Sequence, residues 1–117
     1  VAMAAALATM DVADRVDLVA HLMRVGERLR AGLARQARAH GLRIRQSGPV
    51  QMPLVLFDDD PQGEKGNRFA AAALRRGVYL HPRHTMFLSL SHGDDDIDQA
   101  LEATDAAFAE VRAAFGA

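Results

Sequence analysis

Apolar positions recur at spacings of three and four from Leu18 through Leu22, Val25 and Leu29 to Leu33, so all five fall on one helical face. That period predicts a long amphipathic helix over 15–40, with Arg24, Arg28, Arg35 and Arg38 mostly on its solvated side. Gly41 stands just past its end, where a left-handed residue closes many helices. Upstream, Val1 to Met10 is rich in strong helix formers and predicts a second helix. Asp11-Val12-Ala13-Asp14 predicts the break between them, with either aspartate as a cap. Beyond Gly41 the period falls to two. Leu42 to Ser47 alternates apolar and polar residues, and Met52 to Phe57 is a more apolar run, so two strands are expected on either side of Gly48-Pro49.

Asp58-Asp59-Asp60-Pro61-Gln62-Gly63 is a turn-rich loop that also helps to cap the next helix. Asn67 to Arg76 predicts that short helix, with Phe69, Ala73 and Leu74 inward, stopped by Gly77. Two short strands are expected at Val78–Leu80 and Met86–Ser91, the second with Met86, Leu88 and Leu90 on one face. Ile97, Leu101, Thr104, Phe108, Val111 and Phe115 then mark a final helix, whose acidic start at Asp94-Asp95-Asp96 suits the positive end of the helix dipole. The pattern predicts an α+β fold: a small, mainly antiparallel sheet of three to four strands covered by helices, with a long N-terminal helical segment and a C-terminal helix. At 117 residues, a single domain over 1–117 is expected.

Half of the residues are hydrophobic and a quarter charged, the balance of a soluble globular chain. A formal charge of −1 gives no electrostatic reason to expect nucleic acid or an anionic membrane as partner. With no tryptophan and one tyrosine, a stacking platform for bases is not expected either. The absence of cysteine removes disulfides, thiolate metal sites and thiol nucleophiles. The apolar opening lacks the charged start of a signal peptide, so a cytoplasmic setting is the expectation. Val1 also stands inside a helical pattern with no cap before it, which suggests a piece of something longer.

Candidate chemistry gathers between Gly77 and His92. His81, His84 and His92 are three of the chain's five histidines, and Arg83 lies among them. Pro82 fixes its own φ and pushes His81 towards an extended conformation, which predicts a stiff loop. Stiff loops carrying cationic and titratable side chains are where ligand contacts concentrate. The three histidines could in principle bind zinc, yet no carboxylate stands as an outer partner, and loop histidines held by hydrogen bonds are the plainer reading. Lys65, the only lysine, sits between Glu64 and Gly66 at a loop-to-helix junction, where an exposed ammonium is expected. Arg83 can grip a carboxylate through two parallel hydrogen bonds.

Gly77-Val78-Tyr79-Leu80-x-Pro82, then Phe87-Leu88-Ser89-x-x-His92 and Asp95-Asp96-Ile97-Asp98, resembles the C-terminal small domain of class III pyridoxal-phosphate aminotransferases of fold type I. The glutamate-1-semialdehyde aminomutase branch is the nearest in pattern. Val1 to Ala8 resembles the helix after that family's Gly-Asn-Pro segment, and Leu22 to Leu33 its long interdomain helix. The resemblance implies that a separate large domain carries pyridoxal phosphate and its lysine, and that the parent is a homodimer. This domain would close over an amino-acid or keto-acid substrate. No catalytic or cofactor-binding residue is expected within the chain, which alone should be inactive. Where the aminomutases carry roughly Pro-Ser-x-Phe-Glu, this chain has Pro82-Arg83-His84-Thr85-Met86. This departure from the aminomutase pattern fits relatives that bind a substrate carboxylate, such as β-amino acid aminotransferases. Substrate binding by Arg83, His81 and His84 is therefore expected, with Arg83 on a carboxylate and His81 or His84 helping to hold the loop. The alternative is a stand-alone, non-catalytic binding or dimerisation module of the same fold.

Overall fold

A computed structural model describes residues 1–116. The elements run α1 (Ala2–Arg15), α2 (Leu18–Ala39), β1 (Ile44–Ser47), β2 (Leu54–Phe57), α3 (Glu64–Arg75) and α4 (Asp94–Phe115). This is the expected α+β fold. The break between the first two helices falls later than the acidic run at 11–14. Asp11 pairs with Arg15 one turn on and carries the helix through. The chain turns instead at Asp17, which takes a left-handed φ of 47° and accepts the Ala20 amide at 3.4 Å. Aspartate tolerates that conformation because its short side chain bonds locally.

α2 ends where Gly41 takes a φ of 70°, and the Leu42 amide reaches back to the Ala37 carbonyl at 2.8 Å. The stripe on α2 is sound: Val25, Leu29 and Leu33 are buried, and Leu18 and Leu22 are half-buried. α4 packs against both α2 and α3. At the centre, Phe108 meets Phe69 at 4.6 Å and Phe57 at 5.9 Å between ring centroids, which locks α4, α3 and β2 together. A polar pair crosses this core: the buried Thr104 hydroxyl donates to Gln36 Oε1 at 2.7 Å, and Gln36 Nε2 donates to the Leu101 carbonyl at 2.6 Å.

The sheet is smaller than the three to four strands expected. Among the described residues it is one antiparallel pair, with Ile44 opposite Phe57 and Ser47 opposite Leu54. The Met86 and Leu88 amides do donate to the Pro53 and Gln51 carbonyls, each at 2.9 Å, along an antiparallel register. Pro53 has no amide to return to Met86, which interrupts the ladder at that pair. Val78–Leu80 forms no strand either. Leu90 does not follow Met86 and Leu88 inward, because a turn with the His92 amide on the Ser89 carbonyl redirects the chain. α3 begins three residues before Asn67, and Leu74 points out of it, 54% exposed.

Candidate functional site

The segment between α3 and α4 is built from its ends. Gly77 closes α3 with a φ of 85°, and the Val78 amide donates to the Ala73 carbonyl at 3.1 Å. Val78 and Leu80 are half-buried against the core while Tyr79 stands outside. At the far end the Gly93 amide donates to Asp96 Oδ2 at 2.8 Å, which starts α4. His92 ties that corner down twice. Its Nδ1 accepts the Ser89 amide at 3.0 Å, and its carbonyl accepts from His21 Nε2 on α2 at 2.8 Å.

Arginines of α2 secure the start of α4 as well. Arg24 donates to both Asp94 oxygens at 2.8 and 3.0 Å, and Arg28 reaches Asp94 and Asp98. The Arg24 hydrogen bond, with the charges of Arg24 and Arg28, holds the Asp94 carboxyl below its ordinary range. Asp98, chiefly by its hydrogen bond, pushes the Arg28 guanidinium above its ordinary value.

Between these anchors the chain forms a tight loop at 81–86. The His81 amide donates to Met86 Sδ at 3.3 Å. His81 Nδ1 accepts two amides, from Arg83 at 3.1 Å and His84 at 3.0 Å. The rings of His81 and His84 are tilted against each other with centroids 4.4 Å apart. Pro82 rests over Gly66 in the first turn of α3. That turn is held by Asp60, whose two carboxylate oxygens accept the Lys65 amide at 3.0 Å and the Gly66 amide at 2.9 Å.

Beneath the loop lies a mainly apolar cleft of about 690 Å³, walled by Leu29, Phe69, Leu80, His81, His84 and Met86 among others. His81 and His84 therefore come together at one wall. Arg83 is exposed, does not line the cleft, and among the described residues its guanidinium has no hydrogen-bond or ion-pair partner. His92 also borders the cleft, but its Nδ1 is committed to the loop. Among the described residues no three histidine or carboxylate side chains converge to hold a metal. The acceptor role of His81 Nδ1 is the structural detail of this loop that the sequence pattern does not isolate. Its only signal was a histidine followed by proline and two free amides.

No protein-family model matches the chain. It is 48% identical over 111 residues to the aminopentol aminotransferase of Sphingopyxis macrogoltabida, covering 95% of this chain and 26% of that protein. Glutamate-1-semialdehyde 2,1-aminomutases of Desulfosudis oleivorans and Thermus thermophilus are 32% and 33% identical, over 95% and 87% of this chain and 29% and 27% of theirs. Among solved structures, the FumI protein of Sphingopyxis sp. MTA144 in its PLP internal aldimine form superposes with a TM-score of 0.93 at 46% identity, over 98% of this chain and 28% of that one. An omega-transaminase of Sphaerobacter thermophilus shares the fold at a TM-score of 0.71 and 21% identity, over 79% of this chain and 24% of its own. The chain thus spans about a quarter of the length of the relatives it matches.

Its homologues are aminotransferases, its fold is that of one part of a transaminase, and pyridoxal phosphate is the cofactor of that family. No lysine amine of this chain stands on the cleft wall to hold that cofactor covalently. The only lysine, Lys65, is absent from the cleft wall and gives its amide to Asp60.

Proposed function

We propose that this chain is the C-terminal small domain of a class III, pyridoxal-phosphate-dependent aminotransferase, and that it closes over the substrate and binds its carboxylate through Arg83. The observation that carries this is the Arg83 guanidinium, without a partner among the described residues, at the tip of a loop whose backbone is fastened on both sides. A carboxylate is the complementary group, because the planar guanidinium donates two parallel hydrogen bonds to it. His84, beside His81 on the wall of the cleft, can contact the same substrate. The substrate class is an amino acid or keto acid.

The same reading has the rest of the parent supplying the cofactor's lysine and the parent working as a homodimer in the cytoplasm. Coverage of a quarter of each relative supports a large partner domain in the same polypeptide. Among the described residues no helix is long and apolar enough to cross a membrane. When bound, the cofactor supplies the electron sink for amino transfer. This chain's share is to orient the substrate and exclude water.

Arg83→Ala in the full-length parent tests the assignment. kcat/KM for a carboxylate-bearing substrate should fall by about 10- to 100-fold, mostly through KM, which matches the loss of a charged hydrogen-bond pair. Arg83→Lys should recover only part of it. An unchanged kcat/KM would refute the assignment. The intact mass of the protein in its source cells tests the domain reading separately. A species several-fold larger than this 117-residue chain, with bound pyridoxal phosphate, is expected. A native 117-residue species would instead support a stand-alone module.

A further inference from the structure

We infer that His81 is a positioning residue: its unprotonated ring Nδ1 fixes the turn that presents Arg83. The functional consequence rests on the assignment of Arg83 to substrate binding, but the turn itself does not. The Arg83 and His84 amides converge on one lone pair, at 3.1 and 3.0 Å. A ring nitrogen accepts only when it carries no hydrogen, so the ring is held as the tautomer with hydrogen on Nε2. Nδ1 stands the same number of bonds from the backbone as the amide oxygen of asparagine. The motif is therefore an Asx-type turn made by imidazole, in which the side chain accepts amides two and three residues ahead.

One backbone constraint and two contacts surround the ring. Pro82 sets one φ inside the turn, so the two amides are left with little freedom once Nδ1 holds them. The His81 amide is tied to Met86 Sδ, which closes the loop from the other side. The ring itself packs on His84 along the cleft wall. His81 therefore has two separable properties, an acceptor at Nδ1 and an aromatic face. Only the first sets the backbone from which the guanidinium projects.

Two substitutions separate them. His81→Asn keeps an acceptor at the same distance from the backbone and discards the ring; His81→Phe keeps a ring and discards the acceptor. Amide hydrogen exchange on this chain reads the turn directly. Exchange at Arg83 and His84 should quicken about tenfold in H81F, as two lost neutral hydrogen bonds imply, and stay near wild type in H81N. Amides around Phe108 serve as the control for folding. The ring ¹⁵N shifts of the wild type should show Nδ1 as the unprotonated nitrogen. Protection kept in H81F and lost in H81N would overturn the inference in favour of ring packing, as would a proton found on Nδ1. In the full-length parent, KM for a carboxylate-bearing substrate should rise in H81F and recover in H81N. If exchange follows the acceptor while KM is indifferent to both variants, the turn stands and the role of Arg83 in substrate binding falls.

Discussion

Gly26 and Gly32 sit under two turns apart on α2, and the same added methyl meets different neighbours at each. A Cβ on Gly26 would lie 2.6 Å from the Val50 carbonyl oxygen, which is backbone and cannot swing aside. On Gly32 it would lie 2.5 Å from the tip of the Leu101 side chain, which can rotate. Gly26→Ala should therefore cost about 1–3 kcal/mol of overpacking strain. Gly32→Ala should cost less, because the Leu101 side chain can move away, while alanine's better helix propensity returns up to about 1 kcal/mol at either site. Urea midpoints at unchanged m-value report both, and equal losses would mean that the 49–50 corner yields as readily as a side chain. Thr104, 1% exposed, makes a third case. Thr104→Val keeps the shape and removes the donor to Gln36 Oε1, for an expected loss of about 1–2 kcal/mol.

At the scale of elements, α3 starts where Asp60 can reach it. The N-cap itself is Gly63, which has no side chain, so the Asp60 carboxylate takes the Lys65 and Gly66 amides in its place. Asp60→Ala should destabilise by about 1 kcal/mol, in the range of lost N-caps, and Asp60→Asn by less; denaturant midpoints distinguish them. Ion pairs fasten the ends of α4 to the other two core-forming helices. Arg24 and Arg28 hold Asp94, while Arg75 and Arg76 hold Glu110 at 2.5 and 2.9 Å and keep its carboxyl below the ordinary range, chiefly through the Arg76 hydrogen bond. Both carboxyls are depressed in the folded state, so on acidification the unfolded chain takes up protons first. Their stabilisation is present above the ordinary carboxylate pKa and is lost as pH falls through the folded values. An Asp94→Asn, Glu110→Gln variant should lose stability less steeply than wild type from about pH 5 downward, and an identical slope would show these pairs to be inert. Helices with a clear stripe, α2 and α4, were legible because burial and period coincide. The loss of the expected strand at Met86–Ser91 was not, since Met86 and Leu88 alternate as a strand does while Pro53 removes a returning amide. The loop of the candidate site was legible as stiff and histidine-rich. The direction of Arg83 and the acceptor at His81 depend on local hydrogen bonds spanning two, three and five residues, a turn that this order of residue types permits but does not dictate.

At the scale of the molecule, the core stops short of α1. The described residues extend 51 Å along one axis and 24 Å along the others, and α1 has no buried residue. Met3 is 81% exposed and Leu7 66%, with Met10 also open. Leu88 and Leu90 of the loop segment share a shallow apolar groove with Val12 on α1 and Leu22 on α2. Exposed apolar side chains gathered along one helix face, as Met3, Leu7 and Met10 are, form the kind of surface that a neighbouring domain or chain covers. In the proposed parent that cover is the large domain. Without it, the chain should associate with itself as concentration rises, since hiding the α1 face removes apolar area from water at roughly 25 cal/mol per Å². Sedimentation velocity over a concentration series should show a species heavier than the monomer. Leu7→Glu with Met10→Glu should return it to monomer without loss of helical circular dichroism, because neither side chain belongs to the core. A wild-type chain that stays monomeric at high concentration would argue that α1 is self-sufficient. The case for a covering domain would then rest on the length of the relatives alone.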